Sequence, residues 1–159
     1  MLKNAYQNKK DIFIISKELI KNLKIKAFES ADKRYRYCIH KKNDHLTQEM
    51  IIVFHKDTIL TPHRHPKGRS ESYHVIEGSM NVYFFDDDGN TKDAISLKEK
   101  SDEYSFYYRL SSQTWHLPVP TSEFMVFHET ITGPFLTDKD IEYPSWKNKY
   151  NTKEKINRL

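Results

Sequence analysis

The strongest constraint on what this chain can fold into is a change of rhythm after "ESADKR", which ends at Arg34. Upstream, Leu19, Ile20, Leu23 and Ala27 recur at helical spacing behind Ser16, which predicts one short helix with Ser16 as N-cap. Downstream the pattern switches to period two and stays there as far as Gly133-Pro134. "RYRYCIH" alternates, "QEMIIVF" is β-branched and apolar, and "YHVIEGSMNVYFF" reads as two strands joined at Glu77-Gly78. "DDDGN" is a turn signal, and "DAISL", "YSFYYRL" and "SEFMVFHE" supply further strands. Roughly eight short strands at this spacing predict a sandwich or small barrel.

A chain of 159 residues is long enough for one domain with a real core. The expected division is a flexible segment over 1–15, a folded domain over 16–146 and a basic tail over 147–159, with "IEYPSW" as an arm lying across the barrel. Five basic residues in that tail stand against Glu154 alone and account for the whole net charge of +4. A basic end on a neutral body is ordinarily a solvated terminus, so nucleic acid is not an expected partner. No apolar run approaches membrane-spanning length, and "DIFIIS" is far too short. Cys38, the single cysteine, cannot close an internal disulfide, which fits a reducing compartment. The expectation is a cytoplasmic protein without a membrane partner.

Within "TPHRHPKGRSESYHVIEGS" (residues 61–79), three histidines and a glutamate fall within twelve residues, bounded by two turn signals. His63 and His65 are two apart on an extended segment and leave it on the same face, with Arg64 pointing the other way. "PKGRS" turns the chain, and Glu71 opens the next strand, sharing a face with Tyr73 and Val75. A fourth ligand can come only from a distant strand, and His116 in "QTWHLP" is the best candidate. Neutral imidazoles with one carboxylate suit a divalent metal ion (Fe, Mn, Ni or Zn) and leave positions open for water or substrate. The alternative is a set of polar positions on a half-buried sheet.

The stretch "PHRHPKGRSESYHVIEG" resembles the first motif of the cupins, and "RLSSQTWH" stands where their second motif supplies its last histidine. Together with "RYRYCIH", "QEM", "FFDDDG", "VFHETITGPF" and "YPSW", in that order from about Ser16 to Trp146, the pattern is similar to the WbuC family of small cupin metalloproteins. The resemblance implies a mainly β fold, a cupin (double-stranded β-helix, or jelly-roll) barrel with a short N-terminal helix. It also implies a divalent metal on His63, His65, Glu71 and His116, and a setting in surface-polysaccharide (O-antigen or capsule) biosynthesis through gene neighbourhood. Three positions depart from the general motif: the gap of five residues between His65 and Glu71, Asp57 where a glycine is usual, and Ser111 and Gln113 ahead of His116.

Other residues carry weaker signals. Alternation puts Arg34, Arg36, Cys38 and His40 on one face of their strand and Tyr35, Tyr37 and Ile39 on the other. Arg34 and Arg36 at a barrel mouth suit an anionic substrate such as a sugar phosphate, and a polar outer face with the tyrosines inside explains them equally well. Tyr73 and His40 are the candidate proton-transfer residues. His128 and Glu129 face opposite ways, so at most one reaches the interior, and His128 matches a family position. The expected function is a metal-dependent isomerase or epimerase acting on a sugar or nucleotide-sugar, with a non-haem iron dioxygenase or a non-catalytic sugar-binding cupin as the alternatives. A homodimer is the expected partner beyond a sugar-type small molecule.

Overall fold

The structure, a computed structural model, describes residues 4–100, 102–111, 113–135 and 140–159. Helix α1 (Lys17–Glu29) begins where the sequence predicts: the Leu19 amide donates to the Ser16 Oγ at 3.1 Å, capping the first turn. Its buried stripe, Leu23 and Ala27, packs with Ile51, Val53 and Val126 on the outer face of a sheet. Tyr35, Tyr37 and Ile39 flank the same cluster, so the tyrosine face of "RYRYCIH" lies under the helix and its arginine face looks inward.

Nine strands follow the chain: β1 (Ala5–Gln7), β2 (Arg34–Cys38), β3 (Thr47–His55), β4 (Glu71–Glu77), β5 (Ser79–Phe85), β6 (Thr91–Lys98), β7 (Tyr107–Leu110), β8 (Trp115–Pro120) and β9 (Phe124–Thr132). They form a six-stranded sheet, β1-β2-β3-β9-β4-β7, and a three-stranded sheet, β6-β5-β8. This is the mainly β jelly roll that was expected, although the two sheets face each other without closing into one continuous hydrogen-bonded barrel. β3 explains its own unbroken apolar run. Met50, Ile52 and Phe54 enter the main core, while Ile51 and Val53 meet α1, so both faces are covered.

Gly78 joins β4 to β5 at φ +85°, where a Cβ would collide with the Phe124 backbone carbonyl. Asp57 needs no such freedom, since Asn4 and Lys33 are the only described non-glycine residues with positive φ. β8 is the distant strand expected to carry His116, although its Pro118 and Pro120 remove two amide donors. It is tolerated at the edge of the smaller sheet, where β5 is its one strand partner among the described residues and an isolated bridge from His116 meets its other side.

Both termini depart from expectation. β1 pairs in parallel with β2, Ala5 opposite Arg36, and the Asn8 amide donates to Cys38 O at 2.9 Å, so this part of the N-terminal segment is not loose. At the other end, a 3-10 turn (Lys147–Tyr150) and helix α2 (Lys153–Ile156) bury Tyr150 and Ile156 in the main core. The tail is basic, but its aromatic and aliphatic side chains hold it down. Tyr150 Oη and Lys149 Nζ both donate to Gly89 O, at 3.0 and 2.7 Å. No helix among the described residues is long and apolar enough to cross a membrane.

Candidate metal centre

His63, His65 and His116 converge. Each offers one ring nitrogen, and these atoms all lie within 4.8 Å of one another. The backbone explains the meeting of distant residues: His63 and His116 form an antiparallel bridge, with reciprocal N–H···O bonds of 3.1 and 2.9 Å, which puts their side chains on the same side. His65, two residues on, follows His63, and Arg64 between them turns away as expected.

The ring nitrogens are differentiated. His63 Nδ1 lies 3.0 Å from Thr61 O, His65 Nδ1 3.2 Å from Asp140 O, and His116 Nδ1 3.0 Å from Thr114 O. A carbonyl only accepts, so each Nδ1 carries a proton; the His63 Nε2 is left with a lone pair directed into the cluster, while the Nε2 atoms of His65 and His116 face Glu71. His116 Nε2 is fully buried at the centre of the cluster. Burial, reinforced by His116, pushes the His63 imidazole down to about 3, keeping it in the neutral form that binds metals. These donors fit a divalent ion.

Glu71 abuts two of the three rings, its carboxylate oxygens 3.0 Å from His116 Nε2 and 3.1 Å from His65 Nε2. Burial alone would favour its protonated form, but His116 and His65 hold it well below the usual carboxylate range. Two phenols complete its surroundings: Tyr108 Oη donates at 2.8 Å and Tyr73 Oη at 3.2 Å. Burial, and then the Glu71 charge, push both hydroxyls well above their ordinary value, so they stay donors.

His63, His65 and Tyr73 line a cavity of about 370 Å³. Arg34, Arg36 and Glu129 line it too, so the face of β2 that carries the arginines does reach the interior. Arg34 pairs with Asp32, its Nε donating to Oδ2 at 2.7 Å. The Arg36 guanidinium has no hydrogen bond or ion pair among the described residues. Burial and the neighbouring Arg34 lower its pKa. Glu129 is likewise buried without a bonded partner; burial and the Glu71 charge push its carboxyl up to about 7, against the pull of Arg36. Ile52, Phe54, Leu60 and Ile131 supply apolar lining between these charges.

The sequence expectation for His40 is corrected. It is buried outside the cavity lining, with Nδ1 3.0 Å from Glu49 O, because β2 ends at Cys38 and the alternation does not continue. His128 faces outward, 3.4 Å from Glu49. Glu129, its neighbour, is the residue of that pair that enters the cavity. Glu129 and Tyr108 both went unassigned as site residues, and one signal could have found them: both lie opposite inward-facing Tyr73 in the register.

The architecture recurs in solved structures. A protein of Shewanella oneidensis superposes with a TM-score of 0.60 at 9% identity, over 82% of this chain and 85% of its own. A protein of Klebsiella pneumoniae, described as having a double-stranded β-helix domain, superposes at 0.58 with 13% identity, over 86% and 99%. At these identities the likeness shows the fold, the cupin jelly roll. Comparison with curated proteins finds no match. A family model described as a domain of unknown function, DUF6016, matches residues 15–97, more than half of the chain, and the chain belongs to that family.

Proposed function

We propose that this chain is a metal-dependent cupin enzyme of isomerase or epimerase type, whose substrate is a small oxygen-rich anion of the sugar-phosphate or nucleotide-sugar class. The observation that carries the reading is the pairing, around one cavity, of a three-histidine cluster, of which His63 and His65 line the cavity, with an arginine that has no bonded partner among the described residues. The motifs shared with WbuC-type cupins favour surface-polysaccharide biosynthesis as its setting.

His63, His65, His116 and Glu71 would hold the metal, which would supply Lewis acidity toward substrate oxygens. Arg36, assisted by Arg34, binds the anionic group and so fixes which end of the substrate faces the histidines. Glu129 opens into the same cavity with a carboxyl poised near neutrality, which suits it to take a proton from a carbon beside a substrate carbonyl and return it. Tyr73, the proton carrier suggested by sequence, instead donates to Glu71 and orients it. The apolar lining excludes water from the transfer.

The test is calorimetric titration of metal-loaded protein with glucose 6-phosphate, UDP-glucose and unphosphorylated glucose. Binding of a phosphorylated sugar that weakens at least tenfold in Arg36→Gln is the expected result. No binding of any anionic sugar would contradict the substrate class. Three imidazoles and a carboxylate also suit Fe(II), and substrate-dependent oxygen uptake by iron-loaded protein would favour the dioxygenase reading instead.

A further inference from the structure

We infer that the C-terminal arm is a positioning element of the metal centre, acting through Asp140 on His65 and through Glu142 on the His63–His65 segment. The inference rests on the metal-binding reading above.

The three imidazoles are not oriented in the same way. His63 and His116 each donate from Nδ1 to a carbonyl two residues upstream in their own segment, Thr61 O and Thr114 O. His65 has no such local acceptor. Its Nδ1–H donates to Asp140 O at 3.2 Å, across 75 positions of sequence. The carbonyl that fixes the tautomer and tilt of this ring therefore belongs to the arm. Asp140 is itself anchored, because its carboxylate pairs with Arg69, which also donates to Thr132 O at 3.1 Å.

The segment carrying His63 and His65 lies in neither sheet. Two isolated bridges hold it from opposite sides, His63 to His116 and Arg64 to Glu142. In the second, the Arg64 amide donates to Glu142 O at 3.0 Å and the Glu142 amide to Arg64 O at 2.9 Å. The Arg64 side chain doubles the connection: Nε donates to Glu142 Oε2 at 2.6 Å, and the guanidinium sits 4.1 Å over the ring of Trp115, the residue before His116. Asp87 ties the group together. It accepts from Trp115 Nε1 on its carboxylate at 2.9 Å and from the arm's Trp146 Nε1 on its carbonyl at 2.8 Å. Arg64, the middle residue of the His-x-His spacing, thus links all three ligands to the arm. Without it, two lone pairs that must converge with the third would sit on a segment free to pivot.

A strap that only stabilises the fold and a strap that aims the ligands differ in what they do to a bound metal. Co(II) supplies both an affinity and a visible spectrum sensitive to ligand geometry. Arg64→Ala is expected to weaken Co(II) binding about tenfold or more and to change that spectrum, with Arg64→Lys recovering part of both. Glu142→Ala is expected to act in the same direction, and the double variant to lose less than the sum. Lys149→Ala, which loosens the tail beyond the arm at Gly89 O instead, is expected to lower the thermal midpoint while leaving the Co(II) spectrum unchanged. Unchanged Co(II) affinity and spectrum in both Arg64→Ala and Glu142→Ala would reduce the arm to a strap and overturn the inference alone. Failure of the parent protein to bind Co(II) would overturn the metal reading and the inference with it.

Discussion

The two ends of the cavity treat charge in opposite ways. At the histidine end nearly every polar atom is already answered: three Nδ1–H groups rest on carbonyls, and Glu71 receives two phenols. What is left is three ring nitrogens converging within 4.8 Å of one another beside Glu71, and a metal ion is what they suit. At the other end Arg36 and Glu129 carry charge or a proton into the cavity with no bonded partner among the described residues. An answered site is built for a permanent guest, whereas an unanswered one costs stability until a transient guest arrives. The difference argues that metal and substrate occupy separate ends of one cavity.

Removing charge should therefore have unlike effects at the two ends. Glu71→Ala is expected to do most damage, since Tyr73, Tyr108 and His65 lose their acceptor together. At about 1–3 kcal/mol for each buried donor left unmatched, urea unfolding of the metal-free protein should show a loss of about 3 kcal/mol or more. Glu129→Gln should act through pH. With the folded carboxyl pushed up to about 7, the native state holds a proton that the unfolded chain releases above the ordinary carboxylate range. Stability of the metal-free protein then falls as pH rises through that window, and the slope should flatten in the variant. Glu71, Arg36, His65 and His116 are the ionisable groups acting on Glu129, and all are retained in that comparison. Thermal midpoints from about pH 5 to about pH 8 read it directly.

Arg36→Met should be neutral or stabilising by about 1 kcal/mol, because it removes a half-buried charge that has no bonded partner among the described residues. A loss of stability as large as that of Glu71→Ala would erase the contrast between the two ends. The smallest effect concerns Cys38, just beyond Arg36 on β2. Burial raises its thiol to about 11, so iodoacetamide should label the folded protein far more slowly than the unfolded chain. Rapid labelling would mean that the β2 wall opens.

How much of this was legible depended on what each residue's signal needed. His63, His65 and Glu71 could be placed from sequence because a two-residue spacing and one turn fix their faces without any knowledge of the partners. His116 needed a distant strand to be found, and the bridge to His63 supplies the physical reason it lies there. Glu129 and Tyr108 were harder, since alternation gives two phases and only the register with Tyr73 selects one. His40 was misplaced by continuing an alternation past the end of its strand. The extent of β8 was obscured by its prolines, and the burial of Tyr150 and Ile156 by the lysines around them. The role given to Arg64 was not readable at all, because its partners Glu142 and Trp115 are far along the chain.

The central claim is that the histidine cluster holds a divalent metal. Elemental analysis of tag-free protein, beside a His63→Ala/His116→Ala double variant, tests it most directly. The account predicts close to one metal ion per chain in the parent protein and almost none in the variant. Parent protein that takes up no iron, manganese, nickel or zinc, even after anaerobic loading, would contradict it and leave the three imidazoles as polar lining of a metal-free cavity.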